Sequence, residues 1–349
     1  MNVLYWGYRP NAPVPYFRAG MFRPHLEQHG ITAVYLSLAD LALEAIEWAD
    51  VVVFRGWYRE DSGVTELAWA QASGKARVYD SDDWDLSRQP HDPHYAEIRD
   101  RSHLVRQMAR EADVMTTATP ELARRYAAYR SVPPIVVRNA VDPALYVPDR
   151  PPVDKPTMAL FYGANSRLND YFGFIDPQGR RHPGHAAAAV AAAGVDSMWI
   201  GCEGEIAPSV FKHVVPYDHD MLRFFHTLGN VRADIGIAPL AETDFNACKS
   251  ELHWLDMTAA SVPVVAQRFM GDGPYGVIRD GVDGLLVRGA REWHDAVSRL
   301  AKEPALRADL VGAARERIAI DYDPARRAAE WVSVFDAALH RSPVLERSH

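Results

Sequence analysis

Lys249 and Ser250 stand side by side at the start of a segment, Lys249–Ala260, whose pattern predicts a helix, and Asp256 lies further along it. A lysine ammonium, a serine hydroxyl and the unpaired N–H groups of a helix start suit a phosphate-bearing ligand. Asp256, a turn or two on, offers a carboxylate to sugar hydroxyls. An anion at the helix tip with a polyol along its side is what a nucleotide-sugar needs. The bland alternative is a solvated helix end with a serine cap and an ordinary helix carboxylate.

The elements that must position these groups alternate along the chain. Val3–Trp6, Ala33–Leu36, Val51–Phe54, Ala76–Tyr79, Val114–Thr117 and Ile135–Val137 are short, Val- and Ile-rich strand candidates. Phe17–His29, Gly63–Ala72, Tyr95–Ala112 and Pro120–Tyr129 carry helical spacing or start signals, Thr119-Pro120 being a cap followed by proline in the first turn. A proline-rich polar stretch follows, and then the alternation restarts with Met158–Tyr162, Gly184–Ala193, Ser197–Ile200, His213–Val215, Met221–Leu228, Ile235–Ala238, the Lys249–Ala260 helix and Val262–Ala266. Such alternation predicts an α/β protein of two tandem doubly wound, Rossmann-like domains, with ligands at the C-terminal ends of facing sheets. The expected boundaries are an N-terminal domain over 1–147, a linker over 148–156 and a C-terminal domain over 157–322. A final helix over 323–349, with Trp331 and Phe335 as packing anchors, is expected to return to the N-terminal domain.

Bulk properties narrow the class. A chain of 349 residues fits two domains of about 150–200 residues. Its 48% apolar and 24% charged residues are those of a folded globular protein. A net charge of −8 argues against a broad polyanion-binding face. Cys202 and Cys248 stand far apart with no metal-ligand spacing, which predicts neither a disulfide framework nor structural zinc. No leader pattern precedes Val3–Trp6 and no apolar run is long enough to span a bilayer, so a cytoplasmic protein without a transmembrane segment is expected.

The second half resembles the donor domain of GT-B glycosyltransferases, specifically glycosyltransferase family 4. The matching text is Ala233-Asp234-Ile235-Gly236-Ile237-Ala238-Pro239-Leu240, Phe245 through Asp256, Ala260-Ser261-Val262-Pro263-Val264-Val265-Ala266, and Tyr275 through Val287. The last is similar to the family's "vIrdGxnGlLv", whose glycines serve turns. In the first half, Ala112 through Leu122 and Val137-Arg138-Asn139-Ala140-Val141-Asp142 are similar to "aDxvtvsTpxLa" and "vxpNgvD". The resemblance implies GT-B architecture, with Asp256 on the ribose in place of the family's second glutamate. Cys248 stands where the first glutamate would be. The family's Gly-Arg-x4-Lys donor motif is absent. In its place stands Phe161-Tyr162-Gly163-Ala164-Asn165-Ser166-Arg167, which makes Gly163, Asn165 and Arg167 candidate donor contacts. Arg167 would fork onto the diphosphate.

At the acceptor end, the resemblance implies that the loop after the first strand, with Arg9, Arg18, Tyr8, Tyr16 and Phe17, reaches the cleft. Arg18 is a candidate acceptor contact there. Asp82 and Asp83 follow the Ala76–Tyr79 strand. Their Asp-x-Asp setting invites a metal, but GT-B enzymes generally hold the diphosphate with protein cations, so no metal is expected. Asp82 is instead a candidate acceptor ligand and Asp83 a candidate base. The loop histidines His91 and His94 could orient an acceptor hydroxyl, His91 being the preferred contact. Trp57, Tyr58 and Arg59 are ambiguous between core and site.

The reading these features support is an enzyme that moves a sugar from a nucleotide-diphosphate donor, UDP- or GDP-linked, to a hydroxyl acceptor. The resemblance implies retention of anomeric configuration. Lys249, Arg167 and Asp83 are the expected catalytic residues, with no cofactor beyond the nucleotide-sugar co-substrate. The acceptor stays open among a glycan, a natural product and a modified base, and so does the oligomeric state. The alternative is a noncatalytic relative that binds a nucleotide or a partner, motivated by Cys248; an epimerase on the same fold fits Phe245–Asp256 less well.

Overall fold

The computed structural model describes residues 1–8, 11–37, 43–55, 68, 70–88, 90, 92, 95–146, 158–176, 178–202, 210–231, 233–271 and 273–341. The chain divides into two compact units. The first holds Met1–Ala140, Cys248–Ser250 and the chain from Tyr322 onward; the second holds Val141–Ala247 and Glu251–Asp321.

The first unit is built on β1 (Asn2–Trp6), β2 (Thr32–Leu36), β3 (Val51–Arg55), β4 (Ala76–Ser81), β5 (Val114–Thr117) and β6 (Ile135–Val136), in the order β2-β1-β3-β4-β5-β6. Every pairing is parallel. Parallel strands covered on both faces need continuous apolar runs rather than alternation, and Val51-Val52-Val53-Phe54 is such a run, wholly buried. The Pro324–Arg341 helix belongs to this unit, where Trp331 and Phe335 lie edge-on to Tyr5 of β1 at 6.3 and 6.4 Å between ring centroids.

The second unit is again built on six parallel strands, in a different order. β7 (Met158–Tyr162) leads to a hairpin of β8 (Gly173–Ile175) and β9 (Arg181–Pro183), then β10 (Asp196–Cys202), β11 (His213–Pro216), β12 (Ile235–Ala238), β13 (Val264–Gln267) and β14 (Leu285–Val287). The sheet order is β11-β10-β7-β12-β13-β14, again wholly parallel. Trp293 of the Gly289–Lys302 helix is buried here and donates from Nε1 to Gln267 Oε1 at 3.1 Å. The chain is α/β with two doubly wound sheets.

Several elements differ from the sequence pattern. The second unit begins at Val141, ahead of the predicted 157, because Tyr146 packs on Phe225 at 5.0 Å and bonds Asp256. The predicted linker falls outside the described residues, as does most of the predicted Gly63–Ala72 helix. The predicted Phe17–His29 helix is broken into Pro13–Arg18, a short 3-10 turn and Arg23–Gln28, with prolines at each helix start. Tyr95–Ala112 breaks at Arg101. The β8–β9 hairpin is not among the predicted elements, although Asp176 and Gly179 mark its turn. Its base closes because Gly184 carries no side chain: a Cβ there would stand 2.1 Å from the Phe172 carbonyl carbon. Among the described residues, no helix is long and apolar enough to cross a membrane.

Candidate functional site

In a doubly wound sheet, ligands gather beyond the C-terminal ends of the strands, where the strand order reverses. In the second unit that point lies between β7 and β12. β7 ends at Tyr162, and Gly163 turns the chain at φ +140°, a conformation open to glycine. A Cβ there would stand 2.8 Å from Cγ of Arg167, so the glycine also lets the arginine stem lie on the backbone. Gly163 N–H donates to the Ile200 carbonyl at 2.9 Å, and its own carbonyl accepts from Trp199 Nε1 at 2.9 Å. Asn165 and Arg167 form the 3-10 turn that follows.

Arg167 Nη1 donates to Asp170 Oδ2 at 3.1 Å and to Asn246 Oδ1 at 3.2 Å. Asp170 Oδ1 in turn accepts from the Ala241 N–H at 2.9 Å and from Asn246 Nδ2 at 3.0 Å. The loop after β12 and the turn after β7 are thus tied through one carboxylate. The Arg167 side chain stays 19% exposed.

Asp256 is buried on the Leu252–Ala259 helix. Its Oδ1 accepts from Tyr146 Oη at 2.7 Å and its Oδ2 from Tyr162 Oη at 2.6 Å. Burial pushes its carboxyl up to about 7, against the lowering effect of the two phenol donors. Tyr162 is raised well above the usual phenol by burial and by the adjacent Asp256. The Tyr162 ring meets His253 edge-on at 4.4 Å, and His253 Nδ1 lies 3.2 Å from Tyr275 Oη. Tyr275 is raised by burial, with the Arg167 charge acting in the opposite direction. Two polar sets thus stand in the second unit, Arg167 with Asp170 and Asn246, and Asp256 with Tyr146, Tyr162, His253 and Tyr275. Sequence reasoning misses their partners: Tyr146, Tyr162, Asp170, Asn246, His253 and Tyr275. Tyr162 beside Gly163, and Asn246 in the Phe245–Asp256 segment, are the signals that could have pointed to them.

Two expectations are corrected by this geometry. Lys249 and Ser250 do not sit on a helix tip: the helix opens at Leu252, with Glu251 in the capping position and no side-chain cap. Nor does Asp256 stand open to a ribose in this state, since it is 1% exposed and both oxygens already accept from phenols.

The first unit holds the other candidates. Lys249 Nζ is ion-paired with Asp83 Oδ1, Ser250 Oγ accepts from Asn139 Nδ2 at 3.0 Å, and the Cys248 carbonyl accepts from Thr119 Oγ1 at 3.0 Å. Asp83 Oδ2 also accepts from Arg88, whose fork reaches Asp85 and Asp92 as well. Burial raises the carboxyl of Asp85 to about 6, with Arg88 opposing. Asp82 lies 3.6 Å from Arg55 and is raised by burial, with Arg55 opposing. Arg18 requires a correction as an acceptor contact. It is fully buried, forks onto Asp80 at 3.1 and 2.7 Å, and bonds the Val137 carbonyl and Asn139 Oδ1 at 2.5 and 3.2 Å. Its charge is spent inside the fold. His91, His94, Arg9, Trp57, Tyr58 and Arg59 lie outside the described residues. Among the described residues, no group of three or more His, Cys, Asp or Glu side chains could hold a metal ion.

No protein-family model matches the sequence, and no curated protein is significantly similar to it. Solved structures do match. HepE from Anabaena, in complex with UDP and glucose, superposes with a TM-score of 0.61 at 13% identity, over 97% of this chain and 100% of its own. An α-glucosyltransferase in complex with UDP-glucose and DNA containing an abasic site gives 0.63 at 12% identity, over 96% and 99%. TarM gives 0.58 at 12% identity over 84% of this chain, which spans only 58% of TarM. At these identities the likeness is one of fold, and the fold is that of the GT-B glycosyltransferases.

Proposed function

We propose that the protein is a glycosyltransferase that takes a sugar from a nucleoside-diphosphate donor held by the second unit. The observation that carries this reading is the pair of polar sets that follow the end of β7, one centred on the half-buried Arg167 guanidinium and the other on the buried Asp256 carboxylate. Arg167 forks onto the diphosphate, and backbone around Gly163 and Asn165 approaches it closely. Asp256 takes the ribose hydroxyls. Lys249, with Ser250 beside it, neutralises charge building on the leaving diphosphate, and Asp83 holds that lysine in place. UDP is the first nucleotide to test, since HepE and the α-glucosyltransferase were solved with UDP or UDP-glucose; GDP is the second.

The reaction we assign retains configuration. The bond from the anomeric carbon to the diphosphate oxygen breaks and a bond from that carbon to the acceptor oxygen forms on the same face. The acceptor proton passes to the departing phosphate, so the cations do the work and no metal is required. The first unit would hold the acceptor (a glycan, a natural product or a modified base), with Asp82 and His91 as its contacts. Cys202 and Cys248 are buried and not joined in a disulfide, which fits a reducing cytoplasmic setting. Titration with UDP and GDP, followed by a nucleotide-sugar panel read by mass spectrometry, tests the assignment. Binding of neither nucleotide, with Arg167→Ala indistinguishable from wild type, would sink it.

The noncatalytic reading keeps one observation in its favour, the closed Lys249–Asp83 pair. Slow donor hydrolysis without acceptor separates the two: an enzyme shows it, a scaffold does not.

A further inference from the structure

Asp256 is expected to receive ribose hydroxyls, yet hydroxyls already fill it. Tyr146 and Tyr162 each donate a short bond to one carboxylate oxygen, and the carboxylate is sealed from solvent. A phenol donating to a carboxylate makes the same kind of charge-assisted bond that a ribose hydroxyl would make.

The two phenols are held very differently. Tyr162 is the last residue of β7 and is in register with Ile200 of β10. Its ring is further fixed against His253 at 4.4 Å and Phe224 at 5.4 Å. Tyr146 belongs to no sheet. It follows the short 3-10 turn Pro143–Leu145, its N–H bonds the Pro143 carbonyl at 3.2 Å, and its ring leans on Phe225 at 5.0 Å. Withdrawing Tyr162 from Asp256 moves a ring set on a central strand of the sheet, whereas withdrawing Tyr146 moves a ring set on a short turn and leaning on Phe225.

We infer that Tyr146 is a positioning residue that stands in for a ribose hydroxyl: its phenol occupies Asp256 Oδ1 in the free protein and is displaced when a nucleotide binds. Tyr146 thereby sets donor affinity without contacting the diphosphate. The inference rests on the donor site proposed above. Exchange replaces one hydroxyl donor by another, so the count of bonds to Asp256 is unchanged. Ribose hydroxyls then add little net affinity to the wild type.

The test pairs Tyr146→Phe with a ligand that lacks the competing groups, in titrations of the full chain. UDP should bind Tyr146→Phe about two- to tenfold more tightly than wild type, because no phenol has to leave. The 2′,3′-dideoxy analogue of UDP should bind both proteins equally. Wild type alone supplies a second measurement that depends on no variant: UDP and its dideoxy analogue should bind within about fivefold of each other. Weaker UDP binding by Tyr146→Phe, an equal shift for both nucleotides, or a wild-type preference for UDP of about a hundredfold or more each overturns the role of Tyr146. Those outcomes leave the donor site standing; failure of wild type to bind UDP or GDP at all removes both.

Discussion

Asp80 and Asp256 are both sealed from solvent, at 0% and 1% exposure, one in each unit, and they are satisfied by opposite chemistry. Asp80, on β4, faces a guanidinium: Arg18 forks onto both of its oxygens, while Thr116 Oγ1 donates at 2.7 Å and Tyr8 Oη at 3.3 Å. Asp256 is held, among the described residues, by the phenols of Tyr146 and Tyr162. A full charge matched by a full charge in a dry place cannot give up its partner cheaply. A carboxylate held by neutral hydroxyls can exchange one hydroxyl for another, or take a proton. The first arrangement locks a fold together and the second leaves room for a ligand, although both sheets are wholly parallel and doubly wound.

The largest consequence falls on the locked carboxylate. Arg18→Met should destabilise the protein by about 3–5 kcal/mol, because it strands Asp80 as an uncompensated buried charge. Urea unfolding measures this, and Arg18→Met/Asp80→Asn should recover part of the loss. A cost below about 1 kcal/mol for the single variant would mean that the pair is no lock at all.

Asp256 should respond to pH instead. Its carboxyl lies at about 7 in the folded chain, above the ordinary 3.8. Between those values the folded state holds a proton that the unfolded chain has lost. The resulting stabilisation is therefore full below about pH 4 and disappears as pH rises through about 7. Each tenfold gain in proton affinity is worth roughly 1.4 kcal/mol, so the change is on the order of a few kcal/mol. Asp256→Asn stays neutral at every pH, so its melting temperature should gain on wild type as pH rises from about 4 to about 8. A constant difference across that range would show that Asp256 is ionised throughout.

The same contrast governs what is legible in the sequence. Strand positions are readable because parallel strands need unbroken apolar runs, and Val51–Phe54, Met158–Tyr162 and Ile235–Ala238 fall where those runs do. Arg18 defeats a local reading because an arginine in a loop beside aromatics looks the same whether it faces an acceptor or an aspartate far away in the chain. Nothing local encodes Asp80 as its partner. The neighbours of Lys249 and Ser250 favour a helix, yet side-chain bonds to Asp83 and Asn139 hold both residues outside it. Tyr146 is invisible for a similar reason: its meaning comes from Asp256, which only the fold brings to it.

Arg167 tests the exchangeable side of the contrast directly. Arg167→Ala should weaken nucleoside-diphosphate binding by about 10–100-fold, the worth of a charge-assisted pair of hydrogen bonds, and leave nucleoside binding nearly unchanged. Arg167→Lys should recover only a small part, because an ammonium cannot fork. Calorimetry with UDP and uridine reads both. Equal losses for the two ligands would place Arg167 in the scaffold, alongside Arg18.

The smallest stability effect should belong to Lys249, and its smallness is informative. Its ion pair with Asp83 is partly exposed, 19% and 17% for the two side chains, and Arg88 still reaches Asp83 when the lysine is gone. Lys249→Ala should therefore cost under about 1 kcal/mol in urea. If the lysine neutralises a leaving diphosphate, the same variant should lower kcat by about a hundredfold or more, since that charge is needed only as the donor bond breaks. A residue cheap to remove from the fold and costly to remove from the reaction belongs to the site. Should Lys249→Ala instead cost several kcal/mol, Asp83 and Lys249 would form a second lock like Asp80 and Arg18, and the part given to Lys249 in sugar transfer would fail.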